Sequence, residues 1–135
     1  MLASTHQKGE IGKLKVMLRA TELGWIVSVP SVDARYDLVV DNGKELLRVQ
    51  VKYCSCSLTK DSVEVGLSAE CRNSGYKKKY TSEEIDVVVA YLPATEKCYW
   101  LPIQQFQGGG TVTLRFTPTK NMQVKNVHLA KDFEW

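Results

Sequence analysis

The sequence predicts an α/β or α+β domain built around a small mixed β-sheet. Three observations carry that prediction. An early stretch has apolar residues at helical spacing, a series of short apolar runs with strand character follows, and one short helical turn interrupts the strands. The order helix, strands, short helix, strands requires layers packed on a sheet. At 135 residues, the chain is expected to form a single domain over residues 1–135 with a core that needs no staples.

Residues 1–8 read as a mobile N-terminal arm, and residues 9–23 as a helix. Ile11, Leu14, Met17 and Leu18 recur at its period, Glu10 lies in its first turn, and Gly24 is placed to end it. Residues 25–29 form a short β run closed by Pro30. Residues 37–41 are a nearly continuous apolar strand, and Asp41-Asn42-Gly43 is a strong turn signal.

Residues 45–53 then alternate, with Leu47, Val49, Val51 and Tyr53 on one face and Leu46, Arg48, Gln50 and Lys52 on the other. Residues 62–68 read as a strand, 71–79 as a polar basic loop, and 81–84 as a helical turn. Strands are expected at 87–91, 98–101 and 111–116, with a turn at 103–106 and a break at Gly108-Gly109-Gly110. The tail over residues 117–135 shows no period.

Composition is that of a soluble globular protein, and the formal charge of +3 is mildly basic, compatible with nucleic acid. No apolar run has the length of a membrane span, and no secretory pattern opens the chain, so a cytoplasmic protein without membrane partners is expected. Cys54, Cys56, Cys71 and Cys98 are expected as free thiols, because a Cys-x-Cys pair with two scattered partners matches no zinc-ligand spacing. His6 and His128 lie outside the chemistry described next.

That chemistry centres on Asp37, at the start of one strand, and Gln50 and Lys52, on one face of the next. The turn at 41–43 folds the second strand back beside Asp37. A carboxylate, an amide oxygen and an ammonium group at one spot suit metal-assisted phosphodiester cleavage. Mg²⁺ takes oxygen ligands and often only one or two protein carboxylates. Asp37, Gln50 and the carbonyl of Val51 supply three such oxygens, and Glu10 reaches the site directly or through water. Lys52 holds the attacking water or offsets phosphate charge. Mn²⁺ is the expected substitute for Mg²⁺. Because Gln50 is neutral, Glu10 gains weight as the second carboxylate.

The order of these residues resembles the PD-(D/E)XK nuclease superfamily, and more closely its small intron-encoded homing endonucleases of cyanobacterial tRNA introns. The resembling segments are Lys8-Gly9-Glu10-Ile11, Tyr36-Asp37-Leu38-Val39-Val40, Val49-Gln50-Val51-Lys52-Tyr53, Thr95-Glu96-Lys97-Cys98-Tyr99-Trp100-Leu101-Pro102 and Gly110-Thr111-Val112-Thr113-Leu114-Arg115. The resemblance implies a restriction-endonuclease-like core, a central mixed β-sheet flanked by helices. It also implies a metal-dependent endonuclease making double-strand breaks at a long DNA target, with Asp37, Gln50 and Lys52 as the catalytic core and Glu10 assisting. Tyr36 in place of Pro and Gln50 in place of an acid depart from the superfamily but are tolerated by the intron-encoded group.

One active site cuts one strand, so double-strand cleavage implies a homo-oligomer, a dimer or, as the resemblance suggests, a tetramer. The expected DNA contacts are Lys60, Arg72, Lys77, Lys78 and Lys79, the lysine run being interleaved with Tyr76 and Tyr80; the alternative is a solvated loop. A β-hairpin within residues 59–74 could enter the major groove. Arg35 either touches the scissile phosphate or pairs with a carboxylate. Competing readings are a structure-specific nuclease such as a Holliday junction resolvase, and a catalytically silent DNA-binding relative.

Overall fold

The structure, a computed structural model, describes residues 2–56, 60–70 and 75–135. Arg72 and Cys71 therefore lie outside the described residues. In chain order the elements are α1 (Thr5–Glu22), β1 (Ile26–Ser28), β2 (Leu38–Asp41), β3 (Leu46–Tyr53), β4 (Ser62–Gly66), β5 (Ser68–Glu70), β6 (Lys77–Lys79), β7 (Val87–Leu92), β8 (Lys97–Pro102), β9 (Thr111–Arg115) and β10 (His128–Leu129). Short 3₁₀ turns cover Ile103–Phe106 and Ala130–Asp132.

Helix α1 starts earlier than expected. Ser4 caps it: its hydroxyl accepts the Gln7 N–H at 3.2 Å, and the Gln7 side chain accepts the Ser4 N–H at 2.8 Å. This capping box satisfies two helix-end donors reciprocally. Residues 5–8, expected in a mobile arm, are thus helical. At the other end Gly24 adopts a φ of +79°, as a helix-terminating glycine should.

The buried face of α1 also differs from the pattern of large residues. Gly12, Val16 and Ala20, four apart, are the buried positions. Ile11 and Met17 flank them, whereas Leu14 and Leu18 remain exposed. The reason is the closeness of the sheet: a Cβ on Gly12 would sit 3.3 Å from Cγ1 of Val51 and 3.5 Å from Cβ of Tyr53. Small residues let the helix lie directly on β3.

The main sheet has the order β1-β2-β3-β7-β8. β1, β2 and β3 are antiparallel neighbours, β3 and β7 run parallel, and β8 returns antiparallel to β7. The sheet is mixed, as predicted. The β2–β3 hairpin turns where expected: Asp41 Oδ1 accepts from the Gly43 N–H at 2.8 Å, and Asn42 Oδ1 accepts from Lys44 and Glu45. Strand β7 is buried along its whole length, because both sheet faces are covered there.

The two covers are unlike. One core unites α1 with Leu38, Val40, Val49, Val51, Val87 and Val89. The other joins Val88, Ala90 and Leu101 to Val63, Val65, Val112 and Leu114 of a second, three-stranded sheet of order β10-β9-β4. The expected central mixed sheet is thus covered, among the described residues, by one helix on one face and a small sheet on the other.

Two further segments gain structure. Lys77–Lys79, expected in a loop, is a strand whose residues pair with β5, Ser68 opposite Lys79 and Glu70 opposite Lys77. The tail is also ordered into the fold. β10 runs parallel to β9, the Trp100 N–H donates to the Phe133 carbonyl at 2.7 Å, and Trp135 packs between Trp25 and Trp100. His128 stacks edge-on with Phe106 and Phe133. Cys54, Cys56 and Cys98 are free thiols, and burial pushes those of Cys54 and Cys98 up to about 11.

Candidate active site

The β2–β3 hairpin builds the site. Its register pairs Leu38 with Val49, and one step further brings Asp37 beside Gln50. The Asp37 N–H donates to the Val49 carbonyl at 2.8 Å, and Oδ2 of Asp37 accepts the Val51 N–H at 3.0 Å. The carboxylate is thus bolted to the strand that carries Gln50 and Lys52. Val51 itself is buried against α1, so the helix core holds the anchor from behind.

On the opposite face of β3 stand Arg48, Gln50 and Lys52. The Gln50 amide nitrogen lies 3.5 Å from the Val51 carbonyl. A half-turn of that amide exchanges its nitrogen for its oxygen at the same place. The Lys52 ammonium donates to the Ser68 carbonyl at 3.2 Å and lies 5.1 Å from the centre of the Tyr80 ring.

Glu10 projects from α1, exposed, with Lys13 at 3.0 Å. Both are close enough to act electrostatically on Asp37. Burial pushes the Asp37 carboxyl above its ordinary range, against the Val51 N–H and the charges of Lys13 and Lys52; Glu10 adds to the rise. Burial pushes Lys52 the other way, below its ordinary value, although Asp37 favours its charge; Arg35 and Lys77 lower it further. A carboxylate and an ammonium that feel each other's charge are each desolvated, an arrangement typical of functional sites.

Arg48 shares their strand face but is fully engaged. Its guanidinium grips Asp86 through Nε and Nη2, both at 3.0 Å, and donates to the carbonyls of Glu83 and Ser82. It locks the 81–86 turn to β3. Arg35 pairs with Glu84, donates to the Lys78 and Lys79 carbonyls, and lies 4.5 Å from the centre of the Tyr80 ring. Of the two expectations for Arg35, pairing with a carboxylate is the one the geometry displays.

Register, the Val51 hydrogen bond and charge thus tie Asp37 to Gln50, Val51, Lys52 and Glu10, with Lys77 electrostatically close to Lys52. Lys60 is exposed, and Lys78 and Lys79 reach Glu84 at 3.7 Å and the Gly108 carbonyl at 2.9 Å. Tyr80, expected only as an aromatic interleaved with the lysine run, and the Ser68 carbonyl both meet Lys52. Their roles depend on the β5–β6 pairing, for which short basic Lys77-Lys78-Lys79 gives no apolar signal.

The expected donor set fits a hard divalent cation: one anchored carboxylate, one amide oxygen and one main-chain carbonyl, with a second carboxylate on the neighbouring helix. Among the described residues no three His, Cys, Asp or Glu side chains cluster as a metal group, so the set depends on neutral oxygens.

A helix-backed mixed sheet with an acid at the end of one strand and Gln-x-Lys on the next defines a nuclease-type core. A sequence profile of PD-(D/E)XK endonucleases matches residues 3–135, and the chain belongs to that family, whose nucleases generally use divalent metal ions. Among solved structures, a bacterial homing endonuclease, I-Ssp6803I, is similar at 29% identity and a TM-score of 0.75, over 98% of this chain and 89% of that one. The Holliday junction resolvase Hjc of Archaeoglobus fulgidus shares the fold at 16% identity and a TM-score of 0.51, over 80% of this chain and 84% of that one. No match was found among curated proteins. Among the described residues no helix is long and apolar enough to cross a membrane.

Proposed function

We propose that this chain is a metal-dependent, sequence-specific double-strand DNA endonuclease of the homing type. The observation that supports it most is the hydrogen bond fixing Asp37 to the backbone of the Gln50-Val51-Lys52 strand. Likeness to a homing endonuclease over nearly the whole chain supports the substrate class.

In this reading Asp37, Gln50 and the Val51 carbonyl hold Mg²⁺, or Mn²⁺ in its place, with Glu10 adding the second carboxylate. The bound cation supplies Lewis acidity toward the phosphoryl oxygen and a more acidic water. Lys52 orients the attacking water and offsets charge gathering on the phosphate. Asp37 must be ionised to serve, and a cation lowers its burial cost. Lys77, Lys78 and Lys79 on β6, with Lys60 and Arg72, contact the phosphate backbone, and Arg35 braces β6 from behind. Two or four copies place a cleft on each strand, which suits a pseudo-palindromic target.

A resolvase reading has only the shared fold behind it. A cleavage assay with Mg²⁺ decides: the duplex formed by joining the sequences that flank the gene's insertion point is cut, and four-way junctions are not. The opposite pattern sinks the homing reading. Lys52→Ala is expected to abolish cleavage while DNA binding persists.

A further inference from the structure

Lys52 carries its ammonium on a flexible four-carbon stem, so its usefulness depends on what holds it. Among the described residues two contacts do so, and both come from the base of the β5–β6 ribbon. The first is the Ser68 carbonyl at 3.2 Å, on the first residue of β5. The second is the ring of Tyr80, whose centre lies 5.1 Å from Nζ, on the residue that follows β6. Tyr80 is buried, at 6% exposure, and its N–H donates to the Leu67 carbonyl at 2.9 Å, closing the ribbon's base. Leu67 is pinned in turn by its N–H to the Gly110 carbonyl at 2.9 Å. The ring is therefore a fixed surface.

An ammonium has three N–H donors. The Ser68 carbonyl takes one. An aromatic face attracts the charge without consuming a donor. Among the described residues no other acceptor is bonded to the ammonium, so two donors remain for a water and a phosphoryl oxygen. A second carbonyl or a carboxylate in the place of the ring would take one of them. Arg35, fixed by Glu84 and by the Lys78 and Lys79 carbonyls, lies 4.5 Å from the same ring centre and restricts its sway.

We propose that Tyr80 is the positioning residue of Lys52: its ring face holds the ammonium beside the Ser68 carbonyl while leaving two donors available to the reaction. The proposal rests on the reading that Lys52 serves in cleavage. The ring face, not the hydroxyl, carries the role, so phenylalanine should replace tyrosine and leucine should not.

The test compares Tyr80→Phe and Tyr80→Leu by single-turnover cleavage of the joined-flank duplex, and by NMR of the Lys52 side chain in the metal-free protein. Tyr80→Phe is expected to keep the wild-type rate constant. Tyr80→Leu should lose about thirtyfold, the size of a desolvated cation–π contact, with half-saturation unchanged. The Lys52 ε-methylene protons should be shifted upfield by the ring in wild type and Tyr80→Phe, and lose that shift in Tyr80→Leu. An unchanged rate in Tyr80→Leu, or an equal loss in both variants, overturns the proposal. If Tyr80→Leu does not fold, the absence of the upfield shift in wild type and Tyr80→Phe overturns it alone. Full cleavage by Lys52→Ala would instead remove the parent reading, and the shift would still report whether the ring holds Lys52.

Discussion

Asp37 is fixed to the strand it serves, because its Oδ2 accepts the Val51 N–H at 3.0 Å while the Val51 side chain is buried under α1. The same contact shows what the site costs the fold. The Asp37 carboxyl is held above its ordinary range chiefly by burial. A raised folded-state value means stability that is complete below the unfolded value and lost as pH rises through the folded one. At neutral pH without metal, the ionised Asp37 is therefore a net burden. Asp37→Asn, whose amide oxygen can still accept from Val51, should raise the melting temperature of the metal-free protein at pH 7, with the gain vanishing below about pH 3.9. Cleavage should fall by about a hundredfold or more, beyond the roughly 10–100-fold typical of groups that only support a ligand. Thermal melts at the two pH values and a cleavage assay check both halves.

Glu10 is the second carboxylate within electrostatic reach of Asp37, and Lys13 holds it at 3.0 Å. With Gln50 neutral, its removal leaves the site a single acid. Glu10→Gln should severely weaken cleavage at ordinary Mg²⁺, and raising Mg²⁺ should recover part of the rate because affinity is what was lost. A magnesium titration of the rate reads this out. Wild-type turnover at ordinary Mg²⁺ takes Glu10 out of the site.

The helix reaches the site through Gly12. A side chain there meets Val51 at 3.3 Å, the residue whose N–H anchors Asp37. Gly12→Val should destabilise by about 1–3 kcal/mol, the usual cost of overpacking a filled core. Because the displaced residue is Val51, the rate should fall even in the fraction that remains folded. Urea unfolding together with active-site titration separates the two effects.

The β2–β3 hairpin is legible in the sequence for a physical reason. Alternation on β3 and the Asp41-Asn42-Gly43 turn fix its register locally, and register decides which side chains meet. What escaped was decided by distant contacts. Ser4 and Gln7 cap the helix, but the first turn, residues 5–8, has no apolar residue, so the apolar period alone starts at Gly9. The buried stripe Gly12, Val16 and Ala20 is small because β3 approaches so closely, a fact no helical period contains. β6 is three lysines, held by pairing with β5 and by Arg35 rather than by burial.

Arg48 and Asp86 offer a test of the scaffold apart from the chemistry. Asp86 is held below its ordinary carboxyl value first by the Arg48 side-chain hydrogen bonds, against burial, and then by the Arg48 N–H and charge. A depressed folded-state value contributes stability that is present above the unfolded value of 3.8 and lost as pH falls through the folded one. Asp86→Asn should therefore destabilise at neutral pH, and its difference from wild type should shrink as pH drops below about 4. The effect should also reach cleavage, since Arg48 ties the 81–86 turn to the strand bearing Gln50 and Lys52. Melts across pH 2–7 would show converging curves, and parallel curves would mean that the pair does not set the acid limb.

The tail makes the last test. Trp135 lies 4.9 Å from Trp100 and 5.6 Å from Trp25, ring centre to ring centre, and its main-chain N–H donates to the Cys98 carbonyl at 3.0 Å. It thus closes the helix-side core along β8, far from Asp37 in the chain and without a part in the cleft. Aromatic pairs add about 0.5–1.5 kcal/mol each beyond burial. Trp135→Ala should therefore cost about 1–3 kcal/mol, less than a fully buried aromatic because the ring is only half-buried. The rate constant of the folded protein should be unchanged. Loss of stability with an intact rate is the expected outcome of denaturation and single-turnover measurements. A fall in rate at full folding would mean that the tail, through β8 and β7, reaches the strand that carries Lys52.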